Sequence, residues 1–229
     1  MTPETPDRRA LFDEWAARFD TQVQRTGKDE SPAARCPFPF DGYDEVLAAV
    51  IDAADLSGDL EVLDLGIGTG NLTRLGLDRA PRSQWWGIDF SEKMLEEARE
   101  KVPEATLVAG DLRFEWPEEI VRKYDRILST YVFHEFPPHR KIQMANRLFD
   151  DHLRPGGFLV IGDIGFPTTE IHDHAHELWK RAWDEGEHYW QADVAARAFH
   201  EAGFTLRFQQ VSSCATVAVV TRGGSAPEG

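Results

Sequence analysis

The run Asp64-Leu65-Gly66-Ile67-Gly68-Thr69-Gly70 follows directly on the strand-like Leu60-Glu61-Val62-Leu63, and Asp89 closes the next such run, Gln84-Trp85-Trp86-Gly87-Ile88, nineteen residues beyond Gly70. Glycines at this spacing let the backbone turn tightly after a strand and let a bulky ligand lie against the main chain. A side chain there would fill the ligand's space. A carboxylate at the tip of the second strand accepts both hydrogens of a ribose diol, the logic that places an acid about 20 residues past a dinucleotide fingerprint. The pair reads as a nucleoside-cofactor site with Asp89 as the ribose clamp.

Two cofactor classes use such a loop. A dinucleotide loop reads G-x-G-x-x-G and offers helix N-terminal N–H groups to a pyrophosphate. Here the glycines fall as G-x-G-x-G, and Asp64 stands at the strand end before the first of them. That acid repels pyrophosphate and attracts a cation. S-adenosylmethionine carries an ammonium and a sulfonium, so the electrostatics favour it over NAD.

Further segments follow in order: Val108-Ala109-Gly110-Asp111-Leu112, Tyr124-Asp125-Arg126-Ile127-Leu128-Ser129-Thr130-Tyr131, and Leu153-Arg154-Pro155-Gly156-Gly157-Phe158-Leu159-Val160-Ile161. With the glycine loop they resemble the class I S-adenosylmethionine-dependent methyltransferases over most of the chain. Phe12-Asp13-Glu14-Trp15-Ala16-Ala17-Arg18-Phe19-Asp20 and Gly42-Tyr43-Asp44 resemble segments of the small bacterial YrrT-like group, with Phe19 where that group has a tyrosine. The resemblance implies a Rossmann-like α/β fold, a seven-stranded mixed sheet with helices on both faces and its last strand antiparallel. It also implies a single domain over 1–229, with an N-terminal helical lid at about 8–54 and S-adenosylhomocysteine as product. The cofactor site it implies comprises Asp64, Gly66, Gly68, Gly70 and Asp89, with Phe90 and Met94 beside them. Asp111 would hold the adenine amino group next to Leu112, and Ser129 and Tyr131 would lie beneath the methionine moiety. Trp15, Phe19 and Tyr43 would cover that end as aromatic groups, whose faces also favour a cationic sulfonium. The group's link to sulfur amino-acid metabolism identifies no acceptor.

His134 and Glu135 follow the fourth strand and should border the sulfonium. An imidazole there could act as general base toward a thiol or hydroxyl, and a carboxylate could stabilise the imidazolium or orient an amine. Capping a helix or lining the pocket is the other role open to them. His172, His174 and His176 form a second cluster near His188. On a helix His172 and His176 share a face, but no third ligand is in register, so no metal site is expected.

The elements that position these residues alternate between strand-like and helix-like, as in a parallel sheet covered on both faces. A helix over 44–54 carries Val46, Leu47, Val50 and Ile51 on one face, and another spans 71–79. Ser91 is placed to cap a helix over 92–101, with acids in its first turn and Met94 and Ala98 facing the sheet. A short helix or turn over 117–123, a helix over 139–153 and a fifth strand after Gly157 follow. The runs 204–211 and 216–221 suit a hairpin. The region 165–190 is a candidate substrate lid, its helix starting near Thr168 and stopping by Gly186. Its expected apolar stripe is Ile171, Ala175, Leu178 and Ala182, widened by Trp179 and Trp183.

Composition sets outer bounds. With 229 residues the chain is long enough to bury a substantial core. Its 40 acidic against 25 basic residues give a formal charge of −15, which disfavours nucleic acid and anionic membranes as partners. Cys36 and Cys214 form no disulfide framework or zinc spacing. No apolar run approaches bilayer length, and residues 1–10 do not read as a secretory signal. A soluble cytoplasmic enzyme acting on a small-molecule acceptor is expected, with a homodimer left open. A protein that binds S-adenosylmethionine without transferring its methyl is a second reading. A dinucleotide oxidoreductase is a third, disfavoured by Asp64 and the glycine spacing. Residues 1–7 and 223–229, rich in Pro, Gly and polar types, should fray.

Overall fold

The computed structural model describes residues 8–25, 38–114 and 116–223. The expectations for Cys36, residues 1–7 and residues 224–229 fall outside these. Seven strands form the main sheet: β1 (Glu61–Leu65), β2 (Gln84–Asp89), β3 (Thr106–Ala109), β4 (Tyr124–Thr130), β5 (Leu153–Phe166), β7 (Phe204–Gln210) and β8 (Ala215–Arg222). A two-residue strand, β6 (Trp190–Gln191), pairs with the end of β5. The order is β3-β2-β1-β4-β5-β8-β7, parallel except for β8, which runs antiparallel to both its neighbours. The chain winds outward from β1 to β3 and then resumes on the other side with β4. The loops after β1 and β4 therefore diverge and leave a crevice at the strands' carboxyl ends.

Strand alternation sends neighbouring side chains to opposite faces, and both faces are buried. Leu63, Trp86, Ile127 and Leu159 pack one way, against Met144, Ala145 and Phe199. Val62, Trp85, Leu128 and Val160 pack the other way, against Val46, Val50, Leu77 and Leu95. The latter come from α2 (Tyr43–Ala53), α3 (Asn71–Arg79) and α4 (Glu92–Lys101); the former come from α5 (Pro138–Arg147) and α7 (Ala192–Glu201). The Ser91 hydroxyl accepts from Met94 N and starts α4, and both Met94 and Ala98 are buried. A helix α1 (Arg8–Arg25) lies against α4.

At Gly76 of α3 a Cβ would stand 2.2 Å from two ring carbons of Trp85. Gly76→Ala gains about 1 kcal/mol of helix propensity, but the overpacking it forces costs about 1–3 kcal/mol. The expected result is a lower thermal midpoint. A midpoint that rises would mean the ring has room to shift.

Three expectations need correction. Strand β5 begins at Leu153, not after Gly157. Leu153 pairs with Tyr124, and the register shifts between Tyr124 and Arg126, so the Pro-Gly-Gly sequence is an irregularity inside a strand rather than a turn before one. The helix expected over 139–153 ends as α-helix at Arg147 and continues as a π turn over Leu148–His152. The helix in the 165–190 region, α6 (Thr169–Trp179), stops well before Gly186, and its buried face is not the aliphatic stripe. Ile171 and Leu178 are exposed, while Ala175 is buried. His172, Ala175, His176 and Trp179 share the inward stripe because rings win there. Trp179 and Trp183 both stack on Phe38, and His172 meets Trp183 edge-on. The two tryptophans are packing residues.

Candidate active site

The crevice is a cavity of about 460 Å³, within the usual range for small-ligand sites. Its floor is the loop after β1. Gly66 N and Ile67 N both donate to Ile88 O, which ties the loop to β2. Gly66 and Gly68 have φ of +70° and +54°, a region only glycine enters freely. A Cβ on Gly66 would stand 2.3 Å from Val132, whereas on Gly68 it would meet no described atom within 4 Å and would project into the cavity. Gly70 serves packing instead: its Cβ would press on Ala98 of α4 and on Val102 just after it, and it does not line the cavity.

Asp89 lines the cavity while accepting from Gly68 N at 2.9 Å and Ser91 N at 2.8 Å. Burial pushes its carboxyl up to about 6 despite those bonds. Asp64 sits behind the loop and is fully buried. One oxygen accepts from the Thr73 hydroxyl at 2.7 Å, and the other has no partner among the described residues. Burial, aided by the charge of Asp89, pushes it up to about 7. Such a carboxyl is poised to ionise beside a cation.

Phe90, Met94 and Leu112 supply apolar walls toward β3, where Asp111 also faces the cavity. The guanidinium of Arg113 forks onto both Asp111 oxygens, at 2.6 to 3.1 Å. Trp15 and Phe19 of α1 close the other side with Phe40, Tyr43 and Tyr131; the rings of Tyr43 and Tyr131 stack at 5.4 Å. Tyr131 has φ of +55°, and its buried hydroxyl has no partner among the described residues. Ser129 is not brought to this site. Its hydroxyl donates to Leu65 O at 2.8 Å, fully buried between β4 and β1, and the next residue, Thr130, reaches the cavity instead.

A polar latch that sequence reading missed holds α1 over the loop. Asp20 accepts from the Thr69 hydroxyl at 2.7 Å and Asn71 Nδ2 at 2.9 Å, and pairs with Lys101 at 2.6 Å. Burial would raise its carboxyl, but these partners outweigh it and hold it below the ordinary value. Asp13 accepts from the Ser91 hydroxyl at 2.6 Å. An acid at position 20 gives no hint of this in the sequence, because its partners lie 49 to 81 residues away.

On the β4–β5 side, His134 and Glu135 occupy a 3₁₀ turn, Phe133–Glu135, and both line the cavity. The His134 ring Nδ1 lies 2.6 Å from Asp163 of β5, and its backbone N donates to the other Asp163 oxygen at 2.7 Å. Asp163 also accepts from Ile164 N and Trp190 Nε1, so four contacts fix it at zero exposure. Burial would raise its carboxyl, but the His134 and Lys141 charges outweigh that and lower it. With Nδ1 committed, Nε2 of His134 points to Glu187 at 3.6 Å. Burial alone would depress the imidazole, but Asp163 and Glu187 hold it above its ordinary value.

Glu187 precedes β6 and is placed by the adjoining peptide: His188 N donates to His134 O at 2.7 Å, and Lys141 Nζ donates to His188 O at 2.5 Å. One ligand atom from each of His134, Glu135 and Glu187 lies within 4.8 Å of the others, a constellation able to hold a cation. No metal was expected from the sequence, and the grouping was invisible there because Glu187 lies 53 and 52 residues beyond the other two. Asp163 did leave a signal, an acid inside an apolar strand, which must find partners when buried. In the other cluster His172 pairs with Asp173 and His176 with Glu185, and His172, His174 and His176 form no such group among the described residues.

A sheet of this order with one antiparallel strand, a glycine loop after β1 and an acid ending β2 defines the class I S-adenosylmethionine-dependent methyltransferases. The fold matches magnesium protoporphyrin IX methyltransferase from Synechocystis PCC 6803 with bound SAH (TM-score 0.66, 19% identity, 95% of this chain and 100% of that one). It also matches the DhpI–SAH complex (TM-score 0.66, 17% identity, 94% and 95%). Residues 62–157 match the methyltransferase domain family. Uncharacterised methyltransferases of Geobacillus kaustophilus (35% identity over 87% of this chain and 90% of that protein) and Oceanobacillus iheyensis (32% over 88% and 91%) are similar along their lengths. The chain belongs to this methyltransferase family. No described helix is long and apolar enough to cross a membrane.

Proposed function

We propose that the cavity binds S-adenosylmethionine and that the enzyme methylates a small molecule held beside His134, in the cytoplasm. The residues fit the cofactor. Asp64 does not line the cavity, but its buried charge behind the glycine loop would favour an ammonium there; the space before Gly68 suits a ligand lying on the main chain, and Asp89 suits a ribose diol. Asp111 would accept the adenine amino group alongside its bond to Arg113. When bound, the cofactor supplies a methyl group already activated by its sulfonium. The protein's part is then to align the acceptor and manage its proton. His134 does this as general base through Nε2, Asp163 fixes its tautomer and steadies the imidazolium, and Glu135 orients the acceptor.

The observation that carries this reading is that His134, backed by Asp163, and the glycine loop line one cavity. Calorimetric titration should show saturable binding of S-adenosylmethionine and S-adenosylhomocysteine but not NADH. Incubation of bacterial extract with methyl-labelled cofactor should place enzyme-dependent label in the small-molecule filtrate. Label in protein or nucleic acid would overturn the acceptor class.

The latch makes α1 a cover that must open for cofactor exchange. Asp20→Ala removes three contacts that are partly solvent-screened, worth together about 1–2 kcal/mol. Release of S-adenosylhomocysteine should accelerate about tenfold in stopped-flow Trp15 fluorescence, with the bound stoichiometry unchanged. An unaltered release rate would show that α1 does not gate the site.

A further inference from the structure

Glu187 approaches His134 without bonding to it. Its carboxylate lies 3.6 Å from the imidazole Nε2, outside hydrogen-bond distance, although both side chains are largely buried and opposite in charge whenever the ring is protonated. A carboxylate free to move in such a place would close on the imidazolium, because a charge-assisted hydrogen bond is the stronger contact. The peptide around Glu187 supplies what holds it off.

Residues 184–187 turn tightly: Glu187 N donates to Asp184 O at 3.2 Å, and Gly186 N donates to the Asp184 carboxylate at 2.8 Å. Tyr189 folds back over this turn. Its hydroxyl accepts from Asp184 N at 3.4 Å, which leaves its own proton to donate to the Glu187 carboxylate, its other partner. The ring is buried and fixed on three sides. It packs edge-to-face with Trp183 at 4.6 Å and Phe38 at 5.5 Å, and lies tilted to His134 at 6.2 Å. Tyr189 does not line the cavity. A donor on a locked ring cannot follow its acceptor, so it fixes where Glu187 lies.

We propose that Tyr189 is a positioning residue: its hydroxyl tethers Glu187 near enough to His134 to steady the imidazolium but too far to occupy Nε2, which stays open to the acceptor's proton. This rests on the reading of His134 as the base of a methyl-transfer site. Two demands on that base conflict. A nearby carboxylate favours the protonated ring, whereas one bonded to Nε2 would block it. Asp163 already holds Nδ1, so Nε2 is the one ring nitrogen left for the acceptor. The packing against Trp183 and Phe38 needs only the Tyr189 ring. The hydroxyl is what reaches Glu187, and removing it separates the tether from the packing.

The groups facing the His134 ring are Asp163 on β5, Glu187 before β6, Lys141 on α5 and Glu135 in its own turn. The test changes only how Glu187 is held. Histidine Cε1–H resonances are followed by NMR against pH in protein saturated with S-adenosylhomocysteine, with EDTA present and His134→Gln assigning the signal. Tyr189→Phe keeps the ring and removes the tether, so Glu187 should close on Nε2 and raise the His134 midpoint by about one pH unit. Glu187→Gln should lower that midpoint instead. In the double variant Tyr189→Phe should add nothing to Glu187→Gln, because the hydroxyl acts through that carboxylate. A midpoint unmoved or lowered by Tyr189→Phe, or a rise that persists in the double variant, would overturn the proposal. Loss of a cooperative melt in Tyr189→Phe would overturn it too, making the hydroxyl a brace of the fold. Failure of S-adenosylhomocysteine to saturate the protein at the outset would instead sink the parent reading.

Discussion

Asp89→Asn should weaken S-adenosylhomocysteine binding about 100-fold, the loss of roughly 3 kcal/mol expected when two charge-assisted hydrogen bonds to a ribose diol go. The carboxylate is well prepared for that task. Gly68 N and Ser91 N each occupy one of its oxygens and fix its plane, leaving the remaining lone pairs for a diol. The fold should tolerate the change, because burial and the charge of Asp13 already strain the ionised form and the amide oxygen can keep one of the two N–H bonds. Calorimetry and a thermal melt on the same sample check both halves. If affinity falls with a collapsed melting point, the acid is a loop brace; if affinity holds, the diol lies elsewhere.

The glycine-loop half of the candidate site was legible because its backbone geometry depends on local sequence. Gly66 and Gly68 are dictated by positive φ and close approach, and Asp89 by its place at a strand end, so residue type and spacing suffice. Ser129 misled because the resemblance fixes a segment, not which of two neighbouring side chains turns to the crevice. Gly70 misled for a related reason, since α4 needs that glycine as much as a ligand would. The acceptor half was less legible. His134 stood out, but Asp163 lies 29 residues away and Glu187 fifty-three, joined only when β5 and β6 fold back beside β4. On α6, aliphatic spacing located Ala175 but not the rest of the buried face, because the rings of His172 and His176 pack against Trp183 while Ile171 and Leu178 stay exposed.

His134→Gln should lower kcat by about 10² to 10⁴-fold, the span usual for a lost general base, with S-adenosylhomocysteine affinity unchanged. The wild-type pH profile gives the sharper test. His134 acts as base only when neutral, and its pKa is held above the ordinary value of about 6.5. Activity should therefore fall as pH drops through a limb above 6.5, earlier than for an ordinary histidine. The groups that face the ring set this. Asp163 on β5 and Glu187 before β6 favour the imidazolium, whereas burial and the Lys141 charge on α5 oppose it. Glu187→Gln removes one favouring charge and should move the limb toward lower pH. Asp163→Asn should move it further and also cut the plateau, because an amide can orient Nδ1 but cannot steady the imidazolium. Lys141→Met should shift it upward. A structural histidine would show the loss in kcat with no movement of the limb in any of these variants, and that result would remove His134 from the chemistry.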